Sequence, residues 1–486
     1  MPIAVRERMS RVDNAWLRMD NDVNLMMIVG VWLLRPKVAY ATLCRHVEDK
    51  LLKYERFRQR VSRDAAGATW VDDGEFDIHR HVVREKLVRG KEQSEREALQ
   101  ARVGELATTP LDAARPLWQF HLIENYEGGS ALIARVHHCI GDGIALISVM
   151  MTITDGGGDP PSRKRATPKD TGAESGDWLA DAVLKPLGGL SSQAAALVEA
   201  SIARALDALA DPQQGLASSI DGARTVGRVL ADVASMALMS DDSPTLLKGK
   251  PSGRKRVAWG EPIALDDVKA IGKALGCSIN DVLLACVSGA IGDWLRDQGD
   301  DPAGKEIRAM VPVNLRPIEE AWKLGNRFGL APLVLPIGIA NPLARVFAVR
   351  ARMAALKASY QPLLAFAVLA VAGQMAKPVQ DAILGLFAKK ATAVMTNVPG
   401  PAVPLKFCGA TLKQTMFWVP ASGDIGVGVS ILSYGGGVQF GLITDEALCA
   451  DPQAIVDAFE PEFEKLLMLA LMLPWESSAR RLPALG

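Results

Sequence analysis

Helix and strand periodicities alternate in two long stretches of this 486-residue chain, 1–155 and 257–486, and break down between them. In the first stretch MIVGVWLL (27–34) reads as a buried strand, ATLCRHVEDKLLKY (41–54) as a helix and FDIHRHVV (76–83) as an alternating strand. SEREALQARVGELAT (94–108) is helical. LWQFHLIE (117–124) and SALIARVHH (130–138) then face each other across the turn residues 125–129, and a helix is predicted from Gly143 to about Ile153. The middle segment, 156–256, starts with a run too rich in Gly, Pro and charge to pack, and continues as an Ala/Leu-rich helical crossover over 178–240. After Val257 come predicted helices at 266–275 and 279–294, a strand at 307–315, a hairpin within 424–445 and a terminal helix at 452–472. This order predicts an α/β protein of two similarly built halves joined by a long crossover.

Lys+Arg and Asp+Glu are both 55, so the net charge is zero and the basic footprint of a nucleic-acid binder is missing. Hydrophobic residues make up 49 %, which predicts apolar grooves or a lipid-facing patch. Six scattered cysteines and the lack of an apolar N-terminal run predict reduced thiols in a cytoplasmic protein. The longest uncharged run, 358–376, carries Pro362 and two glutamines, and is read as a buried or lipid-contacting helix rather than a membrane span.

All six histidines precede residue 139. His46, His79, His81 and His121 read as half-exposed or satisfied side chains. His137-His138-Cys139-Ile140-Gly141-Asp142-Gly143 differs, because an apolar strand runs into it and a helix begins directly after it. Strand ends are where α/β folds place chemistry. The Gly141-Asp142-Gly143 turn lets a substrate approach the backbone, and one histidine can serve as a base. The plainer reading is that Asp142 caps the helix and the histidines are a polar strand end. Neighbouring strand residues point to opposite faces, so His137 and His138 cannot readily share a metal ion. No G-x-S-x-G elbow, Walker A or G-x-G-x-x-G fingerprint is present.

Eight blocks in order resemble the bacterial wax ester synthase/diacylglycerol acyltransferases, within the superfamily of CoA-dependent acyltransferases bearing H-H-x-x-x-D-G. They are PLDAARPLWQFHLIE (110–124), HHCIGDG (137–143), SGRKRVAW (252–259), SINDVLLACVSGAI (278–291), VPVNLRP (311–317), LGNRFG (324–329), TNVPGP (396–401) and SYGGGVQFGLITD (433–445). After DNAWL (13–17) the chain reads NLMMIVG (24–30) where the family usually shows a Pro-Met-His block, and KGK (248–250) replaces its Asn-Gly.

The resemblance implies two chloramphenicol-acetyltransferase-like halves with the reaction centre in a tunnel between them. It implies no cofactor and no metal: acyl-CoA is a substrate, and a long-chain alcohol or diacylglycerol is the acceptor. His138 would be the general base, and Asp142 would pair with Arg316. Strand alternation leaves His137 as support. Asn280 is expected either to cap its helix or to donate to substrate or His138; Trp118 is expected in the core or as a substrate wall. Gly143, Ala365 and Ala367 are expected to line substrate space. The cations Lys248, Lys250, Arg254, Lys255 and Arg256 are expected either to stay solvated or to meet the phosphates of CoA. Peripheral attachment to membrane or lipid inclusions is expected as well. Two other readings remain: an acyltransferase of secondary or envelope lipid metabolism with a carrier-bound donor, and a non-catalytic lipid-droplet surface protein, against which the intact motif argues.

Overall fold

The computed structural model describes residues 6–64, 67–157, 239–316, 323–357 and 389–473, with single positions between 359 and 388. Most of the expected crossover, and Ala367, lie outside the described residues.

The first half runs β1 (Arg6–Arg8), α1 (Arg11–Met19), β2 (Met27–Arg35), α2 (Tyr40–Lys50), β3 (Gln59–Asp64), β4 (Gly67–Asp72), α3 (Ile78–His81), β5 (Val82–Glu85), α4 (Glu95–Ala107), β6 (Trp118–Tyr126), β7 (Gly129–His137) and α5 (Gly143–Ile153). The second runs β8 (Lys255–Trp259), β9 (Ile263–Ala264), α6 (Leu265–Leu275), α7 (Ile279–Asp297), β10 (Ile307–Asn314), β11 (Phe328–Leu335), α8 (Pro342–Lys357), β12 (Ala393–Pro399), β13 (Lys406–Phe407), β14 (Ala410–Trp418), β15 (Val427–Tyr434), β16 (Gly437–Asp445) and α9 (Pro452–Met472).

Three sheets result. One has the order β13-β14-β2-β7-β6-β5, a second β11-β10-β12-β15-β16-β8 with β9 also on β16, and a small one β1-β4-β3. β2 is apolar along nearly its whole length because β14 and β7 flank it and both its faces are covered. β14 belongs by sequence to the second stretch, yet it pairs antiparallel with β2, Trp418 opposite Val29, and so ties the halves together. The β6–β7 hairpin turns through Glu127 (φ 44°) and Gly128 (φ 74°), the left-handed pair that a two-residue hairpin turn requires.

The segment 76–83 is not the alternating strand its pattern predicts. The Asp77 side chain accepts from His79 N at 3.0 Å and caps a single helical turn, α3, so the strand begins only at Val82. His81 therefore turns inward between Phe76 and Trp118, while His79 meets the Tyr40 hydroxyl at 2.9 Å.

In the second half, α7 is started by a Ser278/Asp281 capping box and is buried at every residue from Asp281 to Gly292. It forms the centre of a core with α6, α8 and α9. Among the described residues no single helix is long and apolar enough to cross a membrane; α6 and α7 pass that test only together, bent by 101°. Of the 358–376 run, Pro362 and Leu369 are buried and Ala365 and Phe366 half-buried. The backbone of this run packs directly on β11: a Cβ at Gly329 would lie 1.7 Å from the Pro362 carbonyl oxygen, so only glycine permits the approach.

Candidate active site

β7 ends at His137, and its last residues alternate faces. His138 N donates to Met26 O at 2.7 Å, and the chain then turns through Cys139–Gly141 into α5. His138 is buried at the contact between the halves. The Trp16 ring stacks on it at 4.2 Å and 12°, and Phe328 tilts against it at 5.4 Å. Its Nδ1 is 2.8 Å from Asn326 Oδ1, and Asn326 Nδ2 donates to both His138 O and Asp13 Oδ1 at 2.7 Å. Burial pushes the His138 imidazole down to about 4, against an opposing pull from the Asp142 charge. Burial likewise raises Asp13, partly offset by its bonds from Asn326.

Asp142 performs both tasks weighed for it, one on each oxygen. Oδ1 accepts from Ala145 N at 2.9 Å and caps α5; Oδ2 accepts from Arg316 Nη2 and from Arg327 N, both at 2.9 Å. Arg316 Nη2 also donates to Gly325 O, and Gly325 N to Ile140 O at 3.0 Å. The motif loop is thus bonded to the 324–327 loop of the second half. A Cβ on Gly143 would meet nothing within 4 Å, so the turn borders open space.

His137 faces away from His138, as strand alternation predicts, but it does more than fill a core. Its Nδ1 accepts from Cys139 N at 3.1 Å, and its Nε2 faces Asp20 Oδ2 at 3.4 Å. Burial alone would raise Asp20; the contact with His137, the bond from Met26 N and the Arg63 charge together outweigh it and hold the carboxylate below its ordinary value. Both residues line a cavity of about 330 Å³ whose walls include Leu17, Met27, Val61 and Leu117.

Three sets of residues whose roles the sequence leaves open have structural partners. Trp118 is core: it is 1 % exposed, packs on Phe57 and His81, and gives its indole N–H to Phe57 O at 2.8 Å, so it walls no substrate space. Asn280 neither caps α7, a task that Ser278 and Asp281 perform, nor supports His138; its Oδ1 accepts from Asn397 Nδ2 at 2.9 Å. The basic run divides: Lys248 and Lys255 are engaged internally, while Lys250, Arg254 and Arg256 are exposed to solvent. Lys255 meets the buried Asp445 at 3.3 Å, Arg254 and Arg256 each lie 3.4 Å from Glu446, and Lys248 donates to the carbonyls of Ala388 and Ala391. Among the described residues no cluster of His, Cys, Asp and Glu could hold a metal ion.

Asp13, Trp16 and Asn326 are the residues that sequence reasoning missed. All three fall inside blocks quoted for the resemblance, DNAWL and LGNRFG, but only the folded chain brings positions 13, 138 and 326 together.

Residues 9–283 match the wax ester synthase/diacylglycerol acyltransferase catalytic domain, and 324–467 the WS/DGAT C-terminal domain. A probable diacylglycerol O-acyltransferase of Mycobacterium tuberculosis is 27 % identical over 430 residues, 87 % of each chain. Among solved structures, the wax ester synthase/diacylglycerol acyltransferase from Marinobacter aquaeolei is similar with a TM-score of 0.64 at 21 % identity, over 96 % of this chain and 100 % of that one. The first condensation domain of the calcium-dependent antibiotic synthetase follows at 0.56 and 16 %, over 96 % of both chains. At these identities the structural likeness speaks for the shared two-domain fold alone.

The buried pair yields an expectation. Asp142→Asn and Arg316→Met should each lower activity and stability together, by about 3–5 kcal/mol for a charge left without its partner, and the double variant should lose less than the sum. Urea unfolding midpoints and initial rates across the four proteins measure the coupling; strict additivity would deny that the pair acts as a unit.

Proposed function

The chain belongs to the wax ester synthase/diacylglycerol acyltransferase family, and on that footing we propose that it moves a long-chain acyl group from acyl-CoA to the hydroxyl of a fatty alcohol or diacylglycerol, with His138 as general base. The observation that carries the reading is a neutral, buried imidazole at a strand end where the two halves meet. His138 takes the hydroxyl proton as the alcohol oxygen attacks the thioester carbonyl. The C–S bond then breaks, and the imidazolium returns the proton to the departing thiolate, giving ester and free CoA. Acid–base catalysis of this kind is worth roughly 10²–10⁴-fold.

A pKa near 4 populates the base form fully at neutral pH, at some cost in proton affinity. The nearby Asp142 charge favours the imidazolium that forms during transfer. No acyl-enzyme is required. Cys139, next in sequence, is an unsuited nucleophile, because burial raises its thiol well above its ordinary value. The chemistry balances without a cofactor. The open space beside Gly143 and the half-buried Ala365, on a segment packed against β11 close to Phe328, support a tunnel for apolar chains. Peripheral attachment to membrane or lipid inclusions is supported by the end of α9, where Met468, Leu471 and Met472 are exposed.

Four outcomes test this reading. Purified protein given palmitoyl-CoA and a panel of alcohols and diacylglycerols should release thiol and form ester; activity only with a carrier-protein-bound donor would refute the choice of donor. His138→Ala should remove nearly all turnover while acyl-CoA binding persists, and His137→Ala should do less harm. The acid limb of kcat/KM in the wild type should fall near pH 4, because the base is lost only when His138 is protonated, and a limb near 6.5 would mean a solvated base. Finally, the protein should float with liposomes and be released little by high salt; full solubility beside liposomes would contradict the attachment.

A further inference from the structure

We infer that Asn326, held from behind by Asp13, locks His138 in the Nδ1–H tautomer and so makes Nε2 its basic nitrogen, a positioning role that rests on the reading of His138 as the base. The two ends of an asparagine amide look alike by shape, so its orientation must come from its partners. Here the partners decide it. The group on Asn326 that faces His138 O at 2.7 Å must be the NH2, because a main-chain carbonyl oxygen can only accept. The same group lies 2.7 Å from Asp13 Oδ1, which also accepts from Asn326 N at 2.9 Å. The other end, turned to His138 Nδ1 at 2.8 Å, is then the carbonyl oxygen. An oxygen cannot donate, so Nδ1 carries the proton, and in the neutral ring the lone pair is on Nε2.

His137 is held the opposite way. Its Nδ1 accepts the N–H of Cys139 at 3.1 Å, which leaves the proton of the neutral ring on Nε2, facing Asp20. Adjacent histidines in one motif therefore hold opposite tautomers: the His137 lone pair at Nδ1 is taken by the Cys139 N–H, whereas the His138 lone pair lies at Nε2. This separates their roles on grounds independent of strand faces. Asp13 reaches Asn326 because it sits in the first turn of α1, whose Ser10 cap binds Asp13 N at 3.0 Å, and the same helix supplies Trp16 to the imidazole face.

A competing holder of the tautomer is the carbonyl oxygen of His138 itself, which also lies close to the ring. Long-range proton–nitrogen NMR of the full-length protein labelled with 15N-histidine distinguishes the two, with His137→Gln and His138→Gln assigning the signals. In the wild type His138 should be protonated on Nδ1 and His137 on Nε2. In Asn326→Ala the His138 signal should move to the Nε2–H form or a mixture, and kcat should fall about 100-fold or more with KM for palmitoyl-CoA within about threefold. Asp13→Asn, which keeps an acceptor for Asn326, should lose less than about tenfold and preserve the tautomer, whereas Asp13→Ala should approach Asn326→Ala. A wild-type His138 protonated on Nε2, or an Asn326→Ala protein that keeps Nδ1–H, would overturn the inference. The wild-type spectrum needs no variant to fold. An active His138→Ala enzyme would instead sink the base assignment and leave the tautomer result standing.

Discussion

One carboxylate fixes where the end of β7 sits relative to the second half of the molecule. Asp142 caps α5 with one oxygen and takes Arg316 and Arg327 N with the other. Both side chains of the Asp142–Arg316 pair are 4 % exposed, so neither charge has water to solvate it. Burying such a pair is tolerable only with further hydrogen bonds; the carboxylate has three donors, whereas Arg316 Nε and Nη1 have no partner among the described residues. The setting of His138 is consequently defined only when the halves are docked: the 324–327 loop supplies both a bond to the motif loop and the amide bonded to the imidazole.

The low polarity of this junction acts on the two buried groups in opposite ways. It keeps His138 neutral and Cys139 a thiol, so the site holds an uncharged imidazole and no thiolate. For stability the sign follows from His138 lying near 4 in the folded chain, below its ordinary 6.5. The unfolded chain binds more protons between those values, so the contribution of this group is intact above about pH 6.5 and is lost as pH falls toward 4. α1 is the element that makes the arrangement coherent, since it carries Asp13 toward Asn326, Trp16 onto the His138 ring and ends at Asp20 beside His137.

Much of this was legible in the chain. Helix and strand periodicity marks β2, α4, the β6–β7 hairpin, α5, α7 and α9, because each has a regular apolar pattern with a cap or turn at its ends. The motif at 137–143 and its partner Arg316 were legible through the family resemblance. What periodicity cannot reveal is partnership across long separations. β14 has a strand-like composition, but nothing local says that it joins β2; Asn326 is one polar residue in a loop until the fold sets it against His138. Local chemistry also overrode pattern at 76–83, where an Asp77 cap outweighed strand alternation. Trp118, Asn280 and the basic run were left open for a related reason. A tryptophan, an asparagine and a set of cations each have common structural uses, and only their observed partners, Phe57 O, Asn397 and the acids Asp445 and Glu446, show that they are so used.

The central claim is direct transfer from thioester to hydroxyl by a neutral histidine, with no covalent acyl-enzyme. Rapid mixing of the protein with excess palmitoyl-CoA in the absence of any acceptor, followed by thiol quantification and intact-protein mass spectrometry, tests it most directly. Direct transfer predicts no burst of thiol and an unchanged protein mass until an alcohol is added, after which thiol and ester rise together one for one. A stoichiometric burst of thiol with an acyl adduct on the protein, formed before acceptor is present, would contradict the account.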